Sequence, residues 1–397
     1  MKDQNKILDI VLKVVSYILA ATVGASLTLV LLVQFGYVSR DGGMTKLEQL
    51  QLLIEERFIG EADATAMGDA AAEGMIASLG DTWSYYISAD QYQSFVEQME
   101  NAYVGVGITV THREDGTGID ILQVTAGGPA EEAGLLPGDV IVAVNGEAIV
   151  SDNLQDLSSR VKGEEGITVD LTILRDGAEQ VFTVERRRIL IPVVKGDLLA
   201  DGKGLVTIYN FDDRCASETI ATIEELLSSG ARTLIFDVRN NPGGYVDELV
   251  KLLDHLLPEG PLFRSVDYRG LEDVEKSDKN CVPVPMAVLM NGNSYSAAEF
   301  FAAALEEYNW AFTAGDPTTG KSYYQVTYRL DDGSAVNISI GEYTTPNGRS
   351  LADEGGLVPN LPVPVDDQTA ANIYAGILEP ADDPQIQAVV AALMENP

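Results

Sequence analysis

Histidine is nearly absent from this 397-residue chain, which holds two, His112 and His255. His112 follows a β-like segment and His255 lies in a Leu-rich helical run with no carboxylate pattern of its own, so neither is placed for a Ser-His-Asp triad. Cysteine is as scarce. Cys215 and Cys281 offer neither metal-ligand spacing nor a disulfide framework, and they could be paired or free. Cations are few, with 26 Lys and Arg against 61 Asp and Glu for a net charge of −35. That balance argues against nucleic acid or an anionic membrane surface as a partner, and reads as a solvated acidic surface. Internal repeats and long low-complexity stretches are missing as well, and nothing in the residues implies a metal or a cofactor.

What is present is apolar. With 46% hydrophobic residues the chain is globular and long enough for two or three domains. Residues 14–39 carry no charge and exceed the roughly 20 residues a helix needs to span a bilayer. Lys2, Lys6 and Lys13 precede them, which keeps the N-terminus cytoplasmic and puts the rest outside the cell membrane. A cleaved signal peptide is the rival, but its apolar region is usually shorter, about 7–15 residues, so an uncleaved single-pass anchor is favoured. Residues 46–98 then read as helical, with Leu47, Leu50, Leu53, Ile54 and Phe58 at three- and four-residue steps and a second helix over 67–79. Such faces are core or a homodimer contact.

The strongest chemical signal is Asn291-Gly292-Asn293-Ser294-Tyr295-Ser296-Ala297-Ala298-Glu299. The apolar run Met286–Met290 reads as a buried strand that breaks at Asn291, and a helix begins near Ala297, so Ser296 sits at a strand-to-helix turn. There a hydroxyl is exposed, and the unpaired N–H groups of the first helical turn point at any oxyanion formed beside it. Without a usable histidine, the base must be another amine. Lys321 follows by 25 positions (321 − 296), after the helix and a short strand over 310–313. Partial burial among Gly320, Tyr323 and Tyr324 would lower its pKa enough to accept a proton, and the Gln325 amide could orient it.

These positions resemble the C-terminal processing peptidases, or tail-specific proteases, whose Gly-Ser-Ala-Ser-Ala-Ser-Glu-like segment, with the nucleophile at its second serine, is followed 25 residues on by the lysine of a Thr-x-Gly-Lys and four further by a glutamine. Asn293, Tyr295 and Ala298 depart from the family's usual glycine, small residue and serine. The resemblance implies Ser296 as nucleophile, Lys321 as general base and Gln325 as the residue holding the lysine. It also implies an oxyanion hole from the N–H groups of Ala297 and of Gly243, in the matching Asn240-Asn241-Pro242-Gly243-Gly244 loop. Further matching blocks are Asp81-Thr82-Trp83-Ser84-Tyr85-Tyr86 before the Gly-rich strand, and Tyr343 to Arg349 and Gly356 to Asn360 after Lys321.

Upstream, Tyr103-Val104-Gly105-Val106-Gly107-Ile108 and Leu136-Pro137-Gly138-Asp139-Val140-Ile141 look like a PDZ domain, with Gly105, Val106, Gly107 and Ile108 as the loop that would hold a peptide's terminal carboxylate. A Gly-rich bend in an ordinary barrel is the plainer reading of those glycines. Strand, Gly-rich loop and helix recur at 233–257 and at Ser296, which expects layered α/β structure. The implied organisation is an anchor over 1–40, helices over 41–98, an inserted PDZ domain over 99–188, and over 189–397 an α/β core of crotonase/Clp-protease-like layering. The implied function is membrane-anchored, extracytoplasmic serine endopeptidase activity on proteins whose C-terminal tails the PDZ domain binds. Two alternatives remain. One is a catalytically inactive PDZ scaffold. The other is a nucleotide-binding loop, because Gly315 to Ser322 satisfies G-x-x-x-x-G-K-S, although a β-rich run follows where a phosphate loop needs a helix.

Overall fold

The computed structural model describes residues 2–34, 44–113, 118–149 and 154–395. Contacts divide it into two units, Met1–Gly80 and Asp81–Pro397. The first is helical. Its helix Lys2–Gln34 contains Lys13–Leu32, which has mean hydropathy 2.1 and is long and apolar enough to cross a membrane. Thr45 and Glu48 form a reciprocal capping box on Lys46–Arg57, and Asp63 caps Ala64–Ala77. The Asp63 cap starts the second helix three residues before the apolar spacing places it.

In the second unit, the region read as helical up to residue 98 holds a strand, Tyr85–Ile87, before the helix Tyr92–Met99. That strand pairs antiparallel with Ala335–Asn337, a partner too distant in sequence for local periodicity to reveal. The PDZ-like module runs through strands Ile108–His112, Ile119–Val124, Val140–Val144, Thr168–Arg175 and Ala178–Glu185, paired in that order. Ile119, Ile121, Ile141, Leu171 and Ile173 fill its core with Leu157 and Val161 from the helix Leu154–Val161. Residues Arg187–Leu190 form a further strand. They pair with Ala102–Gly105, so entry and exit of the module are bonded side by side.

The core is a six-stranded sheet in the order Val194–Leu199, Lys203–Ile208, Thr233–Asp237, Met286–Met290, Ala311–Gly315 and Leu361–Pro362, parallel after its first antiparallel pair. Its central strands are apolar at nearly every position because both faces are covered. Leu234, Phe236, Val288 and Met290 meet the helices Cys215–Ser228, Val246–Leu256 and Ala297–Glu307, while Ile235, Ala287 and Leu289 meet Ile386, Val389 and Leu393 of the helix Pro384–Glu395. This is the layered α/β core the sequence implies. Arg239 ties the second face together: its guanidinium reaches Asp237, Asp383 at 2.8 Å and Gln385 at 2.9 Å, all buried. A second, antiparallel sheet carries Tyr323–Arg329 and Ala335–Thr344 alongside Gly260–Asp267 and Glu272–Ser277. Cys215 and Cys281 are both free thiols.

Candidate active site

Ser296 stands where the Met286–Met290 strand hands over to the Ala297–Glu307 helix, with φ 58° and ψ −127°. A non-glycine residue in that region costs about 1–3 kcal/mol, so the surroundings must hold it there. Three contacts do so. Ser294 Oγ donates to Val238 O at 2.7 Å, and Tyr295 N–H donates to Asn241 O at 3.1 Å, which fasten the turn to the neighbouring loop. Ser296 N–H donates to Glu299 Oε2 at 2.9 Å. Gly243, at φ +85°, presses against the same turn: a Cβ there would lie 2.8 Å from Ser296 Cβ and 2.9 Å from Ala297 N.

Glu299 is fully buried and also joins the lysine loop. Its carboxylate accepts the N–H of Gly320 at 2.6 Å and of Lys321 at 2.8 Å, and the Thr318 hydroxyl. Burial pushes its pKa up against these hydrogen bonds, which pull it down; the net direction is up. Because the Gly320 and Lys321 amides close on a carboxylate, and the strand Tyr323–Arg329 follows, the Gly315 to Ser322 segment has no helix N-terminus to offer a phosphate.

The Lys321 side chain is half-buried. Its Nζ lies 4.5 Å from the centroid of the Trp83 ring and 5.7 Å from that of Tyr295, and the two rings stack with centroids 5.8 Å apart. Burial lowers its pKa, partly offset by the negative charges of Asp81 and Glu299. Among the described residues no hydrogen bond joins Ser296 Oγ to Lys321 Nζ, a looseness common in unliganded sites. Gln325 follows an irregularity in its strand pairing, and its Nε2 donates to Tyr323 O at 2.9 Å and Ser339 Oγ at 3.0 Å. Ser339 N–H in turn donates to Ser84 Oγ, and Ser84 Oγ to Asp81 Oδ2 at 2.5 Å. Although burial pushes the Asp81 carboxyl up, the Ser84 and Ser339 hydroxyls and Trp83 N–H hold it below its ordinary value.

The sequence alone assigns Asp81 and Trp83 no role. Their segment was legible as a motif, but nothing in its spacing ties it to Lys321. The two amides expected to bind an oxyanion differ. No hydrogen bond among the described residues uses the Ala297 N–H, whereas the Gly243 N–H donates to Asn241 Oδ1 at 2.8 Å. In the PDZ-like module, Gly105 to Ile108 line a cavity of about 200 Å³ together with Leu157, Val161 and Lys162. Beside it, Ile108–His112 is the last strand of its sheet, paired on one side with Ile119–Val124.

Residues 202–363 match Peptidase family S41 and residues 121–175 match the PDZ domain. The carboxy-terminal processing protease CtpA of Bacillus subtilis (strain 168) is 31% identical over 364 residues, covering 89% of this chain and 76% of that protein. This chain belongs to peptidase family S41, and it carries a PDZ domain. Within the family its relatives include the carboxy-terminal processing proteases. A CtpA-like serine protease of Staphylococcus aureus (strain N315) is 29% identical over 335 residues, 83% of this chain but 66% of that protein's length. A solved structure of a candidate S41 protease from Bacteroides fragilis shares the fold at 17% identity, with a TM-score of 0.51 over 85% of this chain and 98% of that one.

Proposed function

We propose that this chain is a membrane-anchored serine endopeptidase with its catalytic part outside the cytoplasm, acting on proteins captured by their C-terminal tails. The observation that carries the reading is the conformation of Ser296, a non-glycine residue at positive φ on a strand-to-helix turn, fixed through Glu299 to the loop of the half-buried Lys321. Such strain persists where function needs it. The neutral Lys321 amine takes the Ser296 hydroxyl proton as Oγ bonds to the scissile carbonyl carbon, and the carbonyl π electrons move to oxygen. Ala297 N–H receives that oxyanion, joined by Gly243 N–H once it leaves Asn241. The ammonium then returns its proton to the departing amine nitrogen, and water later hydrolyses the acyl-enzyme.

Gln325 acts through Ser339, Ser84 and Asp81, the chain of contacts that ends in the charge facing Lys321. In the PDZ groove the free edge of Ile108–His112 would pair with an incoming peptide, with its apolar terminal side chain between Val106 and Leu157. The Lys2–Gln34 helix is the proposed anchor. Exposed Leu47, Leu50 and Leu53 make the next helix the proposed contact of a homodimer. The test is degradation of an unstructured protein with an apolar C-terminus by the full chain in detergent. Cleavage lost in Ser296→Ala and Lys321→Ala supports the reading, and cleavage retained in Ser296→Ala overturns it.

A further inference from the structure

The Lys321 amine sits on aromatic faces. The indole of Trp83 arrives from the segment before Tyr85–Ile87, where Trp83 N–H donates to Asp81 Oδ1 at 3.0 Å and Trp83 O accepts from Asn337 Nδ2 at 3.3 Å. The phenol of Tyr295 is supplied by the residue immediately before Ser296. The rings stack with 29° between their planes, and Lys321 Nζ lies within the roughly 6 Å over which a cation is drawn to an aromatic face. The attraction is to positive charge, so it favours the ammonium over the neutral amine. Other charges facing the amine are Asp81, from the segment that carries Trp83, and Glu299, from the helix after Ser296; the Tyr295 phenol is a further titratable neighbour.

We propose that Trp83 and Tyr295 are positioning residues for the peptidase reaction, a two-ring seat that places the Lys321 amine beside the nucleophile turn and stabilises the ammonium it becomes on taking the Ser296 proton. This rests on the reading of Lys321 as general base. Tyr295, next to Ser296 in the chain, supplies the second face of the seat.

The experiment has two arms. Cleavage by the full chain is measured against pH for wild type, Trp83→Phe and Trp83→Leu. Losing the π face removes stabilisation of the ammonium, so the acid limb of kcat/KM moves to lower pH in Trp83→Leu by about half a unit. Trp83→Phe, which keeps a ring, moves less. An unchanged limb in Trp83→Leu overturns the proposal, because a merely structural loss lowers the plateau without moving the limb.

The second arm does not depend on activity. The chain has two tryptophans, so Trp310→Phe leaves Trp83 as the sole indole, and Tyr295→Phe added to it removes the nearby phenol's own titration. Trp83 emission is expected to titrate with the amine, and the step to vanish in Lys321→Met. If the Trp310 variant does not fold, the same step is read as the difference between the otherwise unaltered full chain and its Lys321→Met variant. Absence of a Lys321-dependent step overturns the seat. A clear step in a protein whose cleavage survives Ser296→Ala upholds the seat and rejects only Ser296 as the nucleophile.

Discussion

Ser296 and Lys321 share one hydrogen-bond acceptor: Glu299 Oε2 takes the main-chain N–H of the first at 2.9 Å and of the second at 2.8 Å. The Ser296 turn and the Lys321 loop are therefore one mechanical piece, and moving either strains the other. Glu299→Ala leaves four donors without this partner, one buried and three part-buried, each worth up to about 1–3 kcal/mol when unmet. We expect at least a hundredfold loss of cleavage and a lower Tm, read by peptide hydrolysis and calorimetry. Near wild-type activity would show that the carboxylate is dispensable.

Gly243→Ala tests the other side of the turn. The new Cβ would sit 2.8 Å from both Ser296 Cβ and Tyr295 O, at a φ of +85° that disfavours any side chain. The expected result is loss of activity of about a hundredfold or more, for a stability cost of about 1–2 kcal/mol from the backbone conformation and a further ~1–3 kcal/mol from the overlap. Urea unfolding and turnover, measured together, separate the two effects.

Lys321 gives a pH signature in stability as well as rate. Burial, opposed by Asp81 and Glu299, leaves the folded amine less basic than in the unfolded chain. Between those two values the unfolded chain binds more protons, so stability rises with pH through that window. The neutral fraction, and with it kcat/KM, climbs at a pH below the ordinary lysine range. In Lys321→Met the stability increment should disappear, and an unaltered increment would place its origin elsewhere.

Arg239 is predicted to matter for folding. Its removal in Arg239→Met leaves Asp237 and Asp383 buried and unpaired, which costs about 3–5 kcal/mol. Denaturant midpoints measure it. A change below about 1 kcal/mol would mean the acids find protons or solvent at little expense.

Ile108→Ser addresses the PDZ groove. Ile108 lines the cavity beside Gly107, and losing its apolar area should weaken an apolar-ended peptide about tenfold. Fluorescence anisotropy with the full chain reads this, with an amidated peptide as the control for carboxylate recognition.

Local signals in the sequence carried much of the fold. Met286–Met290 is an apolar run closed by turn residues, and it is a strand at those limits. The helix after Ser296 begins at Ala297 as its composition indicates. What was hidden is non-local. Tyr85–Ile87 is three residues long and becomes a strand only because Ala335–Asn337 pairs with it. The placement of Trp83 over Lys321 follows from that pairing, so it too was out of reach. The positive φ of Ser296 left no mark, since no glycine announces it.

The Asn241 side chain holds the Gly243 N–H at 2.8 Å while its own Nδ2 donates to Ile208 O at 2.8 Å. On the proposed mechanism, a ligand that makes a tetrahedral adduct on Ser296 must compete with this internal acceptor before the Ala297 and Gly243 N–H groups can both grip its oxygen. Boronates and aldehydes are therefore expected to inhibit with slow onset, an initial loose complex tightening over time. Ligands that only occupy the cleft need no such exchange and should equilibrate at once.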